Sequence, residues 1–243
     1  APPDPMRLAA WNVNSLKVRL PHLLSWMQAN SPDVVCLQET KLEDAKFPVA
    51  EIEDIGYRAT FSGQKTYNGV AILSRLPATE VQSGIPDFAD EQKRVLAVSI
   101  AGVRVVCAYV PNGQTIGSDK YSYKLSWLGA FSEWIKTELA NHPNLAIMGD
   151  YNIAPADEDV HDPAAWAGQV LCSAPERDAF NKLIALGMKD SFRLIPQAER
   201  SYTWWDYRMN AFRRKMALRI DHILLSKALS NVCTRCQIDM EPR

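Results

Sequence analysis

An acid and an amide stand two residues apart at the end of an apolar run, in residues 144–153 (NLAIMGDYNI). The run predicts a buried strand that stops at Gly149. Side chains alternate along an extended backbone, so Asp150 and Asn152 would project from the same face. An acidic base and a hydrogen-bonding amide would then lie side by side. The alternative is an ordinary turn, because Gly, Asp and Asn are common turn residues.

Two other predicted strands end in polar side chains. Residues 6–13 (MRLAAWNV) would deliver Asn12 and Asn14 on one face by the same spacing, unless they form a polar turn into a helix capped by Ser15. Glu39 ends the apolar run at residues 33–40. A carboxylate there loses hydration unless it meets a cation or a water-filled cleft. Glu39 is therefore either a metal ligand or a solvated strand end.

Two further residues combine polar groups with apolar surroundings. Tyr109 stands in an apolar strand that ends at the breaker pair Pro111-Asn112, and it is either a catalytic hydroxyl or a core tyrosine with a satisfied hydroxyl. Asp221 lies inside the apolar run at residues 218–226 (LRIDHILLS). A carboxylate in that setting requires a partner.

Positive charge is local in this chain. The net charge is −1, which offers no global attraction for a polyanion. The strongest basic run, residues 212–219, contains Arg213, Arg214, Lys215 and Arg219 and follows the aromatic segment 201–208. It indicates a phosphate-tracking surface or a solvated face. The polar loop 63–69, with Lys65 and Tyr67, could contact a phosphodiester or be merely solvated.

The elements that would position these residues change in character along the chain. Helix and strand alternate up to Gly56, and closely spaced strands then predict an antiparallel or mixed sheet. We predict strands at 57–61, 69–74, 95–100, 103–110, 188–192 and 218–226, and helices at 48–55, 119–141 and 176–186. The apolar stripe of the helix at 119–141 indicates a core face. The irregular stretch 154–175 is long enough to be functional.

Composition predicts one globular domain. The 243 residues are 47% hydrophobic and 23% charged, which suits one large core. We expect residues 1–5 to be an extension outside the fold, and no apolar run is long enough to span a bilayer.

Cys36, Cys107 and Cys172 are expected to be buried thiols in a reducing compartment. Cys233 and Cys236 have zinc-knuckle spacing, but no second pair follows.

Eight motifs match one known family in order and spacing over nearly all of residues 6–243. They are WNVNS (11–15), LQET (37–40), GQKTYNGVAILSR (63–75), YVPNG (109–113), GDYNIAP (149–155), ER (176–177), WWDYR (204–208) and LRIDHILLS (218–226). Through them the chain resembles exonuclease III and the abasic-site endonucleases, within the endonuclease/exonuclease/phosphatase superfamily that includes DNase I.

The resemblance implies an α/β (α+β) fold of the DNase I type: a four-layer α/β sandwich in which helices flank two packed mixed β-sheets. It implies a Mg²⁺-dependent DNA phosphodiesterase, with Mn²⁺ able to substitute. The expected role is base-excision repair of double-stranded DNA, as a 3′ to 5′ exonuclease or 3′-end-trimming enzyme and as an abasic-site endonuclease. We further expect a monomer in a bacterial cytoplasm, drawn to the nucleoid on demand and not to a membrane.

The resemblance also assigns roles to residues. Glu39 would ligate the metal, with Asn14 nearby. Asp150 would position or deprotonate the attacking water, and Tyr109 would donate to the developing charge. The remaining implied roles are a phosphate network of Asn12 and Asn152, orientation of a histidine by Asp221, DNA contacts from Lys65, Tyr67, Asn112, Trp205, Arg208, Arg213, Arg214 and Lys215, and an abasic pocket of Leu171 and Trp205. Oxygen ligands without a His or Cys cluster favour Mg²⁺ or Mn²⁺ over zinc.

The chain departs from the family pattern at two places. Family members carry a serine-aspartate-histidine motif beyond the equivalent of Met240, so we expect residues 6–243 to lack a last strand and the histidine that Asp221 would orient. His161 is the only histidine here that could approach the site. A family member truly without that histidine would be a catalytically impaired DNA-binding protein. Leu171 stands where abasic endonucleases usually have glycine, which favours action at 3′ termini over internal abasic sites.

Overall fold

The computed structural model describes residues 6–197, 204–205 and 217–238, with the backbone alone for 204–205. The chain divides into two compact units. Among described residues, unit 1 holds 6–109 and 145–150, and unit 2 holds 110–144, 151–197, 204–205 and 217–238. No helix in the described part of the chain is long and apolar enough to cross a membrane.

The first sheet of unit 1 is mixed. Its strands are β1 (Leu8–Asn12), β2 (Val34–Gln38), β3 (Arg58–Ser62) and β4 (Val70–Ser74), in the order β1-β2-β4-β3. β1 and β2 are parallel, and the other pairs are antiparallel. Two helices accompany it, α1 (Leu16–Asn30) and α2 (Val49–Asp54). Leu23 and Met27 of α1 are fully buried with Val35 and Leu37 of β2 in one hydrophobic cluster.

The second sheet of unit 1 contains β5 (Thr79–Ser83), β6 (Val95–Ile100), β7 (Val103–Tyr109) and β8 (Leu145–Asp150), hydrogen-bonded in that order. β7 and β8 are parallel, and the other two pairs are antiparallel. The two sheets of unit 1 pack face to face, with Cys107 Sγ of β7 3.4 Å from the carbonyl oxygen of Leu37. The parallel pair of each sheet carries the candidate site.

Unit 2 is built mainly from helices and short strands. Its helices are α3 (Asp119–Asn141), α4 (Pro163–Trp166), α5 (Ala174–Ala185), α6 (Ser191–Leu194) and α7 (Lys227–Ser230). Its strands are β9 (Met188–Asp190), β10 (Trp204–Trp205), β11 (Ala217–Leu218) and β12 (Asp221–Ser226). β9 pairs with β12 and β10 with β11, both antiparallel.

Helix α3 shows why the predicted bounds were right. The Ser118 side chain accepts a hydrogen bond from the backbone N–H of Tyr121, which caps the helix at its first turn. Trp127, Phe131 and Ile135 recur at helical spacing and are buried. The stripe that the sequence predicted as core is therefore core.

Three predictions about elements differ from the structure. β5 was not predicted, because its TEVQS sequence is mostly exposed and has no apolar run. The strand predicted at 218–226 is divided between β11 and β12, because Arg219 leaves the ladder to bond with carboxylates. The strand predicted at 188–192 ends at Asp190, and its last two residues begin α6 instead. All five cysteines are free thiols, and the predicted buried ones are buried.

Gly149 permits β8 to approach β7. A Cβ atom at this position would lie 2.0 Å from the carbonyl oxygen of Ala108, and the residue has φ of +151°. No side chain fits that distance, so glycine lets the two parallel strands remain paired up to Tyr109 and Asp150.

Candidate active site

Four polar side chains of unit 1 lie at the carboxyl ends of the two parallel strand pairs. Asn12 ends β1, Glu39 follows β2, Tyr109 ends β7 and Asp150 ends β8. Asn12 Nδ2 donates to Asp150 Oδ2 over 2.9 Å, and the Tyr109 hydroxyl donates to Glu39 Oε1. Each bond joins one sheet of unit 1 to the other. The fold thus pairs predicted site residues that are as far as 138 positions apart in the chain.

The side-chain amide of Asn12 has a defined orientation. Its Oδ1 accepts the backbone N–H of Asn14 at 3.0 Å, so its Nδ2 is directed to Asp150. The side chain of Asn14 lies at the surface, and its Oδ1 accepts from Lys41 Nζ at 2.7 Å. Asn12, Asn14 and Asp150 are therefore linked in one chain of hydrogen bonds.

Among the described residues, four predicted site residues have left-handed backbones: φ is 45° at Asn14, 56° at Glu39, 49° at Asn152 and 78° at Leu171. The prediction that strand alternation aligns Asn12 with Asn14, and Asp150 with Asn152, is therefore wrong. β1 ends at Asn12 and β8 at Asp150, and the chain turns after each. Left-handed conformations are costly for residues other than glycine and concentrate at functional sites.

Tyr109 is held in its protonated form. Burial raises its pKa far above the ordinary value, and the charges of Glu39 and then Asp150 raise it further. The Arg94 guanidinium stacks 4.7 Å from the ring centroid and opposes this shift. A phenol in this setting remains a hydrogen-bond donor throughout the physiological pH range. That property suits the donor role that the family resemblance implies.

The donor set suits a hard cation. Glu39 supplies a carboxylate, the amide oxygen of Asn14 accepts from the Lys41 ammonium, and both Glu39 and Asp150 act electrostatically on one tyrosine hydroxyl. Mg²⁺ is bound in proteins by one or two carboxylates and keeps several waters. Within the described ranges, no group of three or more His, Cys, Asp or Glu side chains is arranged to hold a metal ion. Cys233 and Cys236 therefore belong to no such group among these residues. The residues fit Mg²⁺ better than zinc.

Two predicted residues also meet in unit 2. Asn152 is buried, and its Nδ2 donates to the carbonyl oxygen of Val110 at 2.8 Å. The exposed Asn112 approaches it, with 3.5 Å between Asn112 Nδ2 and Asn152 Oδ1. The turns after β7 and β8 therefore hold these two amides together.

The loop predicted to contact DNA is ordered by its own polar groups. Asn68 Nδ2 and the backbone N–H of Lys93 both donate to Gln64 Oε1, at 3.2 and 2.8 Å. Lys65 and Tyr67 project from this loop, and Tyr67 is 68% exposed. A cation and an aromatic ring are thus presented to solvent, and DNA contact there stays a prediction.

Arg219 does not belong to an exposed basic surface. It is 1% exposed, its Nε donates to Asp159 Oδ1 at 2.8 Å and its Nη2 to Asp190 Oδ2 at 2.6 Å. The interpretation that included Arg219 in a phosphate-tracking patch is therefore wrong. Its positive charge is instead shared between two carboxylates within unit 2. Asp221 begins β12 and is partly exposed.

His222 is a structural histidine. Its Nδ1 lies 3.0 Å from Arg219 Nη1, and its Nε2 lies 2.8 Å from the carbonyl oxygen of Ile153. A guanidinium can only donate, so Nδ1 must accept and Nε2 must carry the proton. Burial, and next the Arg219 charge, lower the pKa of His222 to about 4. Both ring nitrogens of His222 are thus bonded within unit 2, and the interpretation that Asp221 orients a different histidine stays a prediction.

The lowered pKa of His222 predicts an acid-sensitive fold. The unfolded chain takes up the proton below the ordinary value of 6.5, whereas the folded chain resists it until about 4. Stability is therefore present above pH 6.5 and is lost as the pH falls to about 4. The loss is on the order of 3 kcal/mol, from about 1.4 kcal/mol per pKa unit. Denaturant unfolding from pH 7.5 to 4 measures it. His222→Gln should flatten the slope of the free energy of unfolding against pH, whereas His22→Gln, at an exposed site, should leave it unchanged. An unchanged slope in His222→Gln would contradict the lowered pKa of His222.

The remaining predicted residues divide into one described fully and five that are not. Leu171 is 4% exposed, in a hydrophobic cluster with Val160, Trp166 and Leu218, and its φ is 78°. For Trp205 only the backbone, in β10, is described. Arg208, Arg213, Arg214 and Lys215 lie outside the described residues. The roles of these five stay predictions.

Sequence reasoning missed Lys124 and did not assign Glu176 a role. Both are fully buried and form an ion pair in unit 2. A signal existed for Lys124, because it interrupts the buried face of α3 three residues after Tyr121 and four before Leu128. A charge on such a face needs a buried partner.

Sequence comparison identifies relatives along almost the whole chain. A family model described as the Endonuclease/Exonuclease/phosphatase family matches residues 9–242. The chain is 32% identical to exodeoxyribonuclease III of Haemophilus influenzae, over 98% of this chain and 94% of the relative. It is also 32% identical to the DNA repair nuclease APEX1 of Danio rerio, over 92% of this chain and 74% of the relative.

Solved structures agree with these relatives. The 3′ phosphatase NExo from Neisseria, bound to a product DNA hairpin, matches with a TM-score of 0.91 and 45% identity over 93% of this chain and 89% of that one. An AP endonuclease from Archaeoglobus fulgidus matches with a TM-score of 0.93 and 37% identity, over 98% and 93% of the two chains. The predicted fold class, two mixed sheets flanked by helices, is confirmed.

Proposed function

Because the chain belongs to the Endonuclease/Exonuclease/phosphatase family, we propose that it is a Mg²⁺-dependent DNA phosphodiesterase of the exonuclease III type, acting in base-excision repair. One observation carries the proposal. The Asn12–Asp150 and Tyr109–Glu39 hydrogen bonds put a base, a proton donor and a carboxylate ligand at the carboxyl ends of two parallel strand pairs. The names of the bacterial relatives and of APEX1 support DNA as the substrate.

The residues divide the chemistry of phosphodiester hydrolysis between them. Glu39, with Asn14 nearby, would hold Mg²⁺, which supplies charge neutralisation on a phosphate oxygen when bound. Asp150, oriented by Asn12, takes a proton from the attacking water. Asn152 contributes to the hydrogen-bond network around the phosphate.

Tyr109 supplies a proton donor for the developing negative charge. Its raised pKa keeps the hydroxyl protonated at neutral pH. The single hydroxyl proton is donated to Glu39, so contact with a phosphate oxygen requires rotation away from that carboxylate. A preorganised donor of this kind is among the larger contributions to catalysis of charge-forming steps.

We further propose that blocked 3′ ends are favoured over internal abasic sites. Leu171 holds a left-handed backbone, with φ of 78°, in which glycine would be unstrained, and its side chain is packed in the hydrophobic cluster of unit 2. Leu171 combines a strained backbone with a bulky side chain where glycine would relieve the strain, which argues that the side chain is needed at this position. The Neisseria NExo structures, described as a 3′ phosphatase and a 3′-5′ exonuclease, support the same preference.

Matched assays test both parts of this proposal. Mg²⁺-dependent cleavage is expected on a duplex with a 3′-phosphoglycolate end, a blocking group joined through a phosphodiester, with slower incision of a duplex that has an internal abasic site. Leu171→Gly should shift the ratio of these rates toward the internal site by about tenfold, as expected for a pocket altered by several methylene groups. Leu218→Ala removes packing from the same cluster and should leave the ratio unchanged. Equal wild-type rates on both substrates would refute the preference.

An abasic-site endonuclease is the second candidate activity. The similarity to the Archaeoglobus fulgidus AP endonuclease favours it, and faster incision of the internal abasic site in the assay above would establish it. A wild-type protein that binds DNA without Mg²⁺-dependent cleavage would instead be the impaired family member. The single domain, the monomeric state and the bacterial cytoplasmic location belong to the same proposal.

A further inference from the structure

A fully buried ammonium group ties together the two turns that carry Asn112 and Asn152. Lys124 of α3 is 0% exposed. Its Nζ donates to the carbonyl oxygen of Asn152 at 2.6 Å, to that of Asn112 at 3.2 Å, and to Glu176 Oε2. An ammonium has three N–H donors, so these three acceptors use all of them. The two turns are therefore held at one point by a single charge.

The counter-charge is equally well satisfied. Glu176 is 0% exposed and lies in the first turn of α5. Besides Lys124, its carboxylate accepts the backbone N–H of Leu171 at 2.9 Å and the hydroxyl of Ser173 at 2.7 Å. The Ser173 hydroxyl also lies 2.7 Å from the hydroxyl of Tyr121 on α3. The ion pair thus connects the turns at Asn112 and Asn152 with the segment at Leu171.

Stability alone does not explain this pair. Desolvating two charges is costly, and apolar side chains of similar volume are often at least as stabilising. An apolar side chain, however, could not bring two carbonyl oxygens toward one point, because their dipoles repel without a cation between them. What the pair contributes is a defined direction for the peptide groups of Asn112 and Asn152.

That direction matters at Asn152. Its backbone is left-handed, with φ of 49°, a conformation that persists only when surrounding contacts enforce it. The carbonyl is bound by Lys124 and the side-chain Nδ2 by the carbonyl of Val110. The rotamer that presents this amide therefore depends on the buried ammonium.

We propose that Lys124 and Glu176 are positioning residues for the phosphodiesterase reaction, a proposal that rests on the proposed function. Lys124 holds Asn152 and Asn112 in the geometry that the phosphate requires, and Glu176 holds the side chain of Lys124 in place. Neither touches the reacting atoms. Because Glu176 also binds the backbone of Leu171, the same pair positions the segment that we propose to discriminate between DNA substrates.

A double variant tests the proposal. Lys124→Met alone would leave the Glu176 charge buried and unpaired, so Lys124→Met/Glu176→Gln is used to remove both charges at similar volume. We expect kcat on the 3′-phosphoglycolate duplex to fall about 10- to 100-fold, as for a reacting group displaced by a fraction of an ångström, with KM within about twofold of wild type. An unchanged kcat would overturn the proposal.

A second readout is independent of activity. In ¹⁵N-asparagine-labelled protein, the side-chain amide of Asn152, identified by its loss in Asn152→Asp, should exchange its protons slowly because Nδ2 is bound to Val110. In the double variant the exchange should accelerate at least about tenfold, since the enforced conformation is lost. Unchanged exchange and chemical shift would also overturn the proposal.

The control is Leu183→Ala, which removes a buried apolar side chain of α5 and no charge. When its thermal stability equals that of the double variant, Leu183→Ala should still have the kcat of the wild type, and the Asn152 amide should still exchange slowly. An equal loss of kcat in this control would mean that the pair acts through stability alone. If the wild type shows no Mg²⁺-dependent cleavage, the proposed function fails, while the amide-exchange result still decides whether Lys124 positions Asn152.

Discussion

Asp150→Asn is expected to lower kcat for DNA hydrolysis by about 10²- to 10⁴-fold, the range for losing a general base. The substitution keeps the size of the side chain, and an amide oxygen can still accept from Asn12 Nδ2, which lies 2.9 Å from the carboxylate. What it removes is the negative charge and the basicity needed to accept a proton from water. The fold and DNA affinity should therefore change little, with the loss confined to the chemical step.

Single-turnover cleavage at saturating enzyme measures this effect without interference from product release. Asp54→Asn, at an exposed position at the end of α2, is the matched control and should retain wild-type rates. The Kd for the same duplex should agree within about twofold between wild type and Asp150→Asn, because the substitution removes an interaction made in the transition state and not one made on binding. Cleavage that survives in Asp150→Asn would remove the basis for every role assigned here.

Glu39→Gln has the second largest expected effect, a rise of at least about tenfold in the Mg²⁺ concentration needed for half-maximal rate. Mg²⁺ prefers charged oxygen ligands, and an amide supplies less electrostatic attraction than a carboxylate. The Glu39 charge is also one of the influences that raise the pKa of Tyr109, so its removal should lower that pKa toward the ordinary range. One substitution therefore predicts two independent changes.

Titration of Mn²⁺ by electron paramagnetic resonance measures the metal affinity, and ultraviolet difference absorbance between pH 9 and 12 follows the tyrosines, with Tyr109→Phe identifying the signal of Tyr109. Glu51→Gln, an exposed acid in the first turn of α2, controls for the loss of one negative charge. An unaltered Mg²⁺ requirement in Glu39→Gln would show that this carboxylate is not a ligand. A changed tyrosine titration with an unchanged metal requirement would retain the hydrogen bond and reject the metal site.

The pairing of the four central residues also explains why these two variants should differ. Asp150 receives its hydrogen bond from Asn12, whereas Glu39 receives one from Tyr109. Each pair crosses between the two sheets of unit 1, so each carboxylate is oriented by a residue of the opposite sheet. Loss of one pair should leave the other in place.

Sequence alone determined the family, the class of chemistry and the position of most elements. Apolar periodicity predicted α3 and β6 with the bounds observed, Asp119–Asn141 and Val95–Ile100. It also put Glu39, Tyr109 and Asp150 at or beside strand ends. These successes have one cause, because the burial of one face of an element leaves a repeating pattern in neighbouring residues.

Only the tertiary structure decided which polar groups meet. The bonds of Asn12 to Asp150 and of Tyr109 to Glu39 depend on sheet register and packing over separations of 138 and 70 residues, which no local pattern records. The left-handed turns at Glu39 and Asn152 contradicted simple alternation, since contacts made elsewhere enforce them. Burial of Arg219 and Lys124 was decided in the same way. A charge enters a core only where the fold supplies its partners, and those partners are distant in the chain.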